Sequence, residues 1–200
     1  MRRGHLIVML KEPRPGRVKT RLARGIGTVA AAWWVRHQTA RLLRRLEDRR
    51  WRLVLAVSPD TARGSRAWPA HLPRMPQGRG HLGRRMMRVM RAMPAGPALV
   101  VGGDIPALGP GHIARAFRAL GSHDAVLGPA EDGGYWAIGL AHPRRWREQL
   151  LDGVRWSSEH ALADTRARLG RARVALIDLL ADVDEPEELR AIGRDGRRAR

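Results

Sequence analysis

The sequence predicts an α/β domain that binds a ligand at the carboxyl ends of its strands. The chain of 200 residues suits one domain with a sizeable core. Residues 99–108 contribute most to this prediction, because a short apolar, β-branched strand stops at two glycines and is followed by Asp104. Pro106 keeps Asp104 out of a helix. Ligands of open α/β sheets bind at this edge, although an aspartate that caps the next segment would show the same pattern.

Composition narrows the possible functions. The chain has no cysteine, which excludes thiolate chemistry and disulfides and suits a reducing cytoplasm. The formal charge of +19 would attract nucleic acid, phosphorylated metabolites or an anionic membrane. Arginines are spread through every predicted element, so we expect a solvated surface and not a nucleic-acid-binding stripe. No apolar run is long enough for a signal peptide or a membrane span.

Strands and helices alternate through the first half of the chain. An apolar run that ends at Lys11 predicts the first strand. A helix is expected from Thr28 to about residue 48, with Trp33 and Trp34 as packing residues. Residues 52–57 predict the second strand, and residues 61–76 are expected to be irregular because prolines crowd them. The next helix has four residues at helical spacing: Leu82, Met86, Met90 and Met93.

The second half repeats the alternation. A helix is predicted over residues 111–120, then a strand over 124–127 and another from Tyr135. Residues 144–151 are expected to be helical, and a serine-capped helix begins at 156–159. The last strand covers residues 173–180, and the acidic segment 182–189 opens the final helix, where the helix dipole favours acidic residues.

The loop after the first strand carries five cationic side chains: Lys11, Arg14, Arg17, Lys19 and Arg21. Lys11 and Lys19 are the only lysines in a chain that otherwise uses arginine. An ammonium group can approach a phosphate where a planar guanidinium would not fit. The loop therefore predicts a cationic cradle for a polyphosphate, although a solvated basic turn has the same composition. It is not a P-loop, because Val18 stands where that motif requires glycine.

Residues 78–83 match the G-x-G-x-x-G pattern of dinucleotide-binding enzymes. A helix follows, and Asp104 lies about twenty residues on, as in that fingerprint. An NAD(P)-binding oxidoreductase is therefore one alternative. Against it, Pro73 and Pro76 leave no strand that runs directly into the first glycine.

Two further segments offer polar groups near strand ends. Asp132, Gly133 and Gly134 precede the only tyrosine of the chain, Tyr135. Paired glycines let a ligand approach the backbone closely, and a hairpin turn would use the same residues. Asp184 follows the last predicted strand. Because magnesium is usually held by one or two carboxylates together with substrate phosphates, Asp184 could complement Asp104.

Six ordered motifs resemble a known family. They are K-x-P-x-P-G-x-V-K-T-R-L at 11–22, Q-G-x-G-x-L-G-x-R-M at 77–86, G-D-x-P-x-L at 103–108, G-P-A-x-D-G-G-Y at 128–135, W-S-S at 156–158 and D-V-D-x-P-x-x-L at 182–189. They are similar to those of the radical-SAM/selenodomain-associated transferases, glycosyltransferase-like proteins close to 2-phospholactate guanylyltransferase in the nucleotide-diphospho-sugar transferase superfamily. The motifs span nearly the whole chain and are much more specific for family than for substrate.

The resemblance implies a glycosyltransferase A-type three-layer sandwich over residues 1–193, with a mostly parallel mixed sheet. The run of arginines at the end of the chain predicts a short basic tail at 194–200. It implies polyphosphate contacts by Lys11, Gly16, Lys19 and Arg21. It implies base and ribose contacts by Gln77, Gly80 and Gly83. It implies Mg²⁺ or Mn²⁺ ligation by Asp104 and Asp184. It implies contacts with the second substrate by Asp132, Gly133, Gly134, Tyr135, Trp156 and Ser157.

Two positions depart from the pattern of the family. His81 stands where the family usually has aspartate, which bears on the base contacts. Asp184 stands where related nucleotidyltransferases often have asparagine, and it keeps a metal-ligand oxygen.

These features predict a magnesium-dependent transferase that uses a nucleotide-activated donor and a small-molecule acceptor. In a glycosyl transfer, the metal and Lys19 would stabilise the departing diphosphate while Asp132 orients or deprotonates the acceptor. In a nucleotidyl transfer, an acceptor phosphate would attack the α-phosphorus of a nucleoside triphosphate and pyrophosphate would leave. A non-enzymatic nucleic-acid-binding protein is the rival from another class, and it predicts salt-dependent binding without magnesium.

Overall fold

A computed structural model describes residues 3–180 of the chain. The described strands are β1 (Gly4–Lys11), β2 (Trp51–Ser58), β3 (Arg74–Pro76), β4 (Ala98–Gly102), β5 (Ala125–Pro129), β6 (Tyr135–Leu140) and β7 (Val174–Leu176). The described α-helices are α1 (Thr20–Ile26), α2 (Thr28–Leu46), α3 (Leu82–Arg91), α4 (Pro110–Ala119) and α5 (Ala161–Leu169). Asp184, the predicted final helix and the basic tail lie outside the described residues.

The strands form one mixed sheet in the order β3-β2-β1-β4-β6-β5-β7. β6 runs antiparallel to β4 and β5, and the other neighbours are parallel. The predicted mostly parallel mixed sheet is therefore confirmed. Since β1 and β4 are parallel neighbours, the loops that follow them emerge at the same edge of the sheet.

Helices cover both faces of this sheet. Alternate residues of β1 point to opposite faces, so Leu6 and Val8 belong to one core and Ile7 to the other. The first core includes residues of α2 and α4, and the second includes residues of α3 and α5. Full burial of each such side chain contributes about 1.5–3 kcal/mol of transfer free energy. The result is the expected three-layer sandwich.

Three predicted elements in the second half of the chain are corrected. Residues 144–151 do not form an α-helix, because two short 3-10 turns, Pro143–Arg145 and Glu148–Leu151, are separated by extended backbone at Trp146. The helix predicted from residue 156 begins at Ala161, because Ser157 adopts a left-handed conformation with φ of 58°. The last strand is shorter than expected, although Leu180 still bridges to Ala130.

Two elements were missed in the first half. α1 follows the cationic loop directly, and β3 occupies residues that were expected to be irregular. The prolines are compatible with β3 because it is an edge strand that bonds only to β2. The objection that no strand leads into residues 78–83 was therefore wrong.

No membrane-spanning segment was predicted from the sequence, and the helices of the structure can be compared with that expectation. Among the helices of residues 3–180, none combines the length and apolar composition needed to cross a membrane.

Candidate functional site

Lys19 and Asp104 form an ion pair at the carboxyl edge of the sheet. The Lys19 Nζ donates a hydrogen bond to Asp104 Oδ2 at 2.7 Å. The Lys19 side chain is only 11% exposed, whereas that of Asp104 is 42% exposed. Two residues predicted from separate motifs, 85 positions apart, are thus brought into direct contact.

The local backbone explains how these side chains reach each other. Gly103 lies so close to β1 that a Cβ there would fall 2.4 Å from Leu10 Cδ2, so a larger residue would force the Leu10 side chain to move. Lys19 itself has φ of 43° and ψ of 55°, the left-handed conformation, immediately before α1. A non-glycine residue in this region costs on the order of 1–3 kcal/mol, and such strain is concentrated at functional sites.

The Lys19 cleft, defined by the cationic loop, the end of β4 and one face of α2, has a volume of about 550 Å³. Lys11, Lys19 and Arg21 line it, as three of the four residues predicted to contact polyphosphate. Arg17 adds a fourth cation to the lining. Gly16 lies outside the lining and has φ of 73°, which a turn requires. The cleft therefore concentrates positive charge beside Asp104.

The wall of the Lys19 cleft formed by α2 was missed in the sequence. Trp34 and Gln38, one turn apart, line the cleft together with Val35 and Thr39. Their i, i+4 spacing was the available signal. The expectation that Trp33 packs in the core is wrong, because this ring is 58% exposed and stacks on His37 with centroids 5.5 Å apart.

The Asp132 cavity lies on the other side of Asp104 and has a volume of about 230 Å³. Five of the six residues predicted to contact the second substrate line it: Asp132, Gly134, Tyr135, Trp156 and Ser157. Met9, Leu82, Gly102 and Asp104 line both this cavity and the Lys19 cleft. The two spaces therefore meet at Asp104.

Asp132 lies in the turn that joins β5 to β6. Its Oδ1 accepts a hydrogen bond from the backbone N–H of Gly134 at 2.9 Å, and the side chain is exposed. Gly133 has φ of 80°, and a Cβ there would lie 2.3 Å from the carbonyl oxygen of Glu159. Gly133 thus serves the turn and its packing against the segment before α5, while Asp132 faces the cavity.

Tyr135 and Trp156 form an aromatic wall of the Asp132 cavity. Their rings meet edge to face, with centroids 6.2 Å apart and planes at 70°. Burial raises the pKa of Tyr135 far above its ordinary value, and its hydroxyl accepts a hydrogen bond from Thr165 Oγ1 at 3.3 Å. Tyr135 is therefore a neutral wall residue at physiological pH and not a base.

Gln77 has a structural role in the described chain. Its side chain is 4% exposed, and Nε2 donates to the carbonyl oxygens of Leu10 at 3.1 Å and Ala56 at 2.8 Å. Its Oε1 accepts a hydrogen bond from Arg85 at 2.9 Å. These bonds tie the ends of β1 and β2 to α3, and Gln77 lines neither the Lys19 cleft nor the Asp132 cavity.

The glycines of residues 78–83 also lie outside both linings. At Gly83 a Cβ would fall 2.7 Å from Leu151 Cβ and 2.8 Å from the Trp156 ring, so this glycine permits close packing. Gly80 has φ of 109°, which favours glycine whatever the ligand. The predicted contacts of Gln77, Gly80 and Gly83 with a base and ribose remain predictions.

His81 joins an ion cluster at the start of α3. Its Nε2 lies 2.9 Å from Asp152 Oδ1, and Arg84 Nε donates to the same oxygen at 2.7 Å. The hydrogen bond from Arg84, with a further contribution from His81, lowers the pKa of Asp152. The histidine that departs from the family pattern therefore pairs with a carboxylate of this chain.

The carboxylates near Asp104, where the Lys19 cleft meets the Asp132 cavity, are of the type that binds a divalent cation. Within residues 3–180, no three histidine, aspartate or glutamate side chains form a metal-binding group. Asp104 and Asp132 line the same cavity, and Asp104 is well exposed. This set fits Mg²⁺ or Mn²⁺ in the manner in which a carboxylate and substrate phosphates share the ion. Asp184, the other predicted ligand, lies outside the described residues.

Comparisons with solved structures support the fold. A protein from Desulfovibrio desulfuricans G20, provisionally described as a nucleotide-diphospho-sugar transferase, has a TM-score of 0.81 and 28% identity, covering 92% of this chain and 84% of that chain. The manganese complex of Rv0371C from Mycobacterium tuberculosis H37Rv has a TM-score of 0.54 and 16% identity, and the match covers 94% of this chain and 97% of that chain. The inositol-1-phosphate CTP transferase from T. maritima has a TM-score of 0.59 and 13% identity, and the match covers 92% of this chain and 90% of that chain.

The sequence comparisons give the family. No curated protein sequence matches the chain. Residues 41–158 match the model of the family described as "Uncharacterized protein conserved in bacteria (DUF2064)". Since this match spans more than half of the chain and the fold is that of nucleotide-diphospho-sugar transferases, the protein belongs to this bacterial family.

Proposed function

We propose that the protein is a nucleotide-dependent transferase. The donor phosphates lie in the Lys19 cleft, and the acceptor meets the transferred group in the Asp132 cavity. The observation that carries this proposal is the Lys19–Asp104 ion pair at the junction of the two spaces. A half-exposed carboxylate next to a nearly buried ammonium provides both the anionic and the cationic contacts that a metal-bound polyphosphate needs.

The charges of the Lys19 cleft favour phosphate over other ligands. Lys11, Arg17, Lys19 and Arg21 surround it, while Asp104 is the acidic residue in its lining. Cations fixed in a concave, partly desolvated site stabilise negative charge more strongly than the same cations in open water. Lys19 is well placed to stabilise charge on a leaving phosphate, because its nearly buried ammonium is held 2.7 Å from Asp104, where the two spaces meet.

A divalent cation completes the proposed site. Asp104 would hold Mg²⁺ or Mn²⁺ together with the donor phosphates, and Asp184 would be the second protein ligand. When bound, the ion would neutralise phosphate charge as a Lewis acid. A manganese complex of a protein with this fold, that of Rv0371C, supports the choice of ion.

Transfer of a sugar is the version that the Asp132 cavity favours. The cavity is small, and its lining combines the aromatic wall of Tyr135 and Trp156 with the carboxylates of Asp104 and Asp132, which suits a sugar ring with one apolar face. The acceptor hydroxyl would form its bond to the anomeric carbon as the bond from that carbon to the diphosphate oxygen breaks. Asp132 would orient the hydroxyl and take its proton, while Lys19 stabilises the departing nucleoside diphosphate. The likeness to the Desulfovibrio protein supports this version.

Nucleotidyl transfer is the second candidate. Here a phosphate of the acceptor would attack the α-phosphorus of a nucleoside triphosphate, and pyrophosphate would leave. An anionic nucleophile needs no general base, which agrees with an exposed Asp132 whose Oδ1 is already bonded to the Gly134 N–H. The likeness to the T. maritima CTP transferase supports this version.

A binding and product assay tests the proposal. Calorimetric titration with nucleoside triphosphates and nucleotide sugars, with and without Mg²⁺, should give metal-dependent binding by the wild-type protein. Lys19→Ala should weaken it, whereas Arg171→Ala should not, because Arg171 is an exposed cation that precedes β7 at the opposite edge. Release of a nucleoside diphosphate would identify sugar transfer, and release of pyrophosphate would identify nucleotidyl transfer. Absence of nucleotide binding, or equal loss in both variants, would refute the proposal.

A further inference from the structure

A third space lies at the amino edge of the sheet, far from the Lys19 cleft. It has a volume of about 830 Å³ and is lined by the starts of β1 and β2, the residues around Arg74 and the residues that follow α3. The space exists because β3 is short and pairs only with residues 55–57 of β2. Beside residues 51–54, no strand within the described chain covers the edge of β2. We call this space the His5 groove.

His5 is the unusual residue of this groove. It is 4% exposed, and neither ring nitrogen has a hydrogen-bond partner within residues 3–180. Burial, followed by the charge of Arg52, lowers the pKa of His5, so the ring is neutral at physiological pH. A neutral imidazole offers one N–H donor and one acceptor, and leaving both unused in a buried position is unfavourable.

Arg52 is the free cation next to His5. The two residues are directly paired in the register of β1 and β2, so their side chains project from the same face of the sheet. The Arg52 side chain is exposed and makes no hydrogen bond or ion pair within the described residues. By contrast, the guanidinium of Arg74 is already bonded to backbone carbonyl oxygens, including that of Arg63 at 2.8 Å.

The carboxylates of the groove do not neutralise Arg52. Asp48 is held by Arg50 at 2.7 Å, and Glu47 lies 3.1 Å from the His71 ring. Arg3 and Arg49 add further positive charge to the lining. The rest of the lining is largely apolar and includes Val54, Met75, Met93 and Pro94.

We propose that the His5 groove binds a small organic anion, with its carboxylate or phosphate group between Arg52 and His5 and its apolar part against Met75 and Met93. The volume lies within the range of small-molecule sites, about 300–1,000 Å³. A few convergent polar groups on an apolar surface are also typical of such sites. This site is separate from the proposed transferase site and does not depend on it.

The proposal is tested with phenyl phosphate and benzoate as probes. The titrations use full-length protein that carries Lys19→Ala, so that binding at the Lys19 cleft is suppressed. Phenol, which lacks the charge, and inorganic phosphate, which lacks the apolar part, are the matched controls. We expect at least one of the two anions to bind more tightly than both controls and to shift the NMR signals of the His5 ring. Comparison of the two probes distinguishes a carboxylate ligand from a phosphate ligand.

Variants locate the binding. Adding Arg52→Ala should weaken binding of the preferred probe at least about tenfold, as expected for loss of a charge-assisted hydrogen bond. Adding Arg171→Ala instead should leave the affinity unchanged, because Arg171 precedes β7 at the far side of the sheet from β2 and does not line the groove. Because Arg52 is exposed, the variant should fold, and its circular dichroism spectrum checks this. Absence of probe binding, an unchanged affinity in the Arg52→Ala protein or an unperturbed His5 ring would overturn the proposal.

Discussion

Replacing Lys19 should affect nucleotide and metal binding in opposite directions. In the structure the ammonium of Lys19 occupies one oxygen of Asp104. A metal cation that binds Asp104 without nucleotide must therefore either approach the positively charged ammonium of Lys19 or displace it. Because Mn²⁺ carries two charges, an ammonium about 4 Å away repels it by about 2 kcal/mol in water and about 8 kcal/mol at an effective dielectric constant of 20. Since Asp104 is 42% exposed and salt screens exposed charges further, we take the low end, about 1–2 kcal/mol. Lys19→Ala should thus strengthen binding of Mn²⁺ alone about 5–30-fold.

The same substitution removes a phosphate contact. Loss of a hydrogen bond to a charged group costs about 1.5–3 kcal/mol, so the affinity for nucleotide in the presence of metal should fall about 10–150-fold. Lys19→Arg keeps the positive charge and changes the geometry of the charged group, so it separates the two effects. A guanidinium can pair with both oxygens of a carboxylate, so this variant should bind Mn²⁺ more weakly than the wild-type protein.

Two measurements check these expectations. Electron paramagnetic resonance of free Mn²⁺ gives the affinity for the metal, and calorimetry gives the affinity for nucleotide. Asp104→Asn should lose Mn²⁺ binding, and Arg171→Ala, at the opposite edge of the sheet, should change neither affinity. If Lys19→Ala weakened Mn²⁺ and nucleotide binding equally, or left Mn²⁺ binding unchanged, the ion pair would not oppose the metal and the reasoning would fail.

Three further predictions follow from packing, titration and the proposed chemistry. Gly83→Ala should lower the free energy of unfolding by about 1–3 kcal/mol in a urea titration, because its Cβ would collide with Leu151 and Trp156. Gly64 has open space around it, so Gly64→Ala should change the free energy of unfolding by no more than about 0.5 kcal/mol in the same titration. Burial lowers the pKa of His5 in the folded state, so the unfolded chain binds the proton first as the pH falls below about 6.5. The free energy of unfolding should therefore fall by at most about 1.4 kcal/mol per pH unit on the acid side, and His5→Phe should remove this slope in urea titrations at pH 7 and pH 5. Asp132→Asn should lower kcat in product assays and leave the nucleotide affinity from calorimetry unchanged. A loss of nucleotide affinity would instead place Asp132 among the donor contacts.

The sequence predicts the junction well because strand ends in a parallel sheet share one edge. Asp104 and Lys19 follow different strands, and the pairing of β1 with β4 brings them together whatever the details of the loops. The same reasoning places Asp132 near Asp104, because the turn that holds it follows β5, which runs in the same direction as β4. Topology alone therefore accounts for this part of the candidate site.

The glycine-rich segment shows where sequence reasoning stops. A glycine that admits a ligand and a glycine that admits a neighbouring side chain both require a missing Cβ, so Gly83 has the same sequence signal in either role. Gln77 is ambiguous for a similar reason, since its amide can satisfy a ligand or, as here, buried carbonyl oxygens. Such choices depend on tertiary packing, which no local pattern encodes.

β1 connects the two proposed sites and also keeps them electrostatically independent. His5 lies near its start and Lys11 at its end, six residues later, which corresponds to about 20 Å of extended chain. Charges at that separation are largely screened at physiological ionic strength, where the Debye length is about 8 Å. An anion in the His5 groove can therefore influence the Lys19 cleft only through the packing of β1 against its neighbours. Since β1 is buried along most of its length and bonded on both sides, we expect it to hold both sites rigidly, with each binding its ligand without regard to the other.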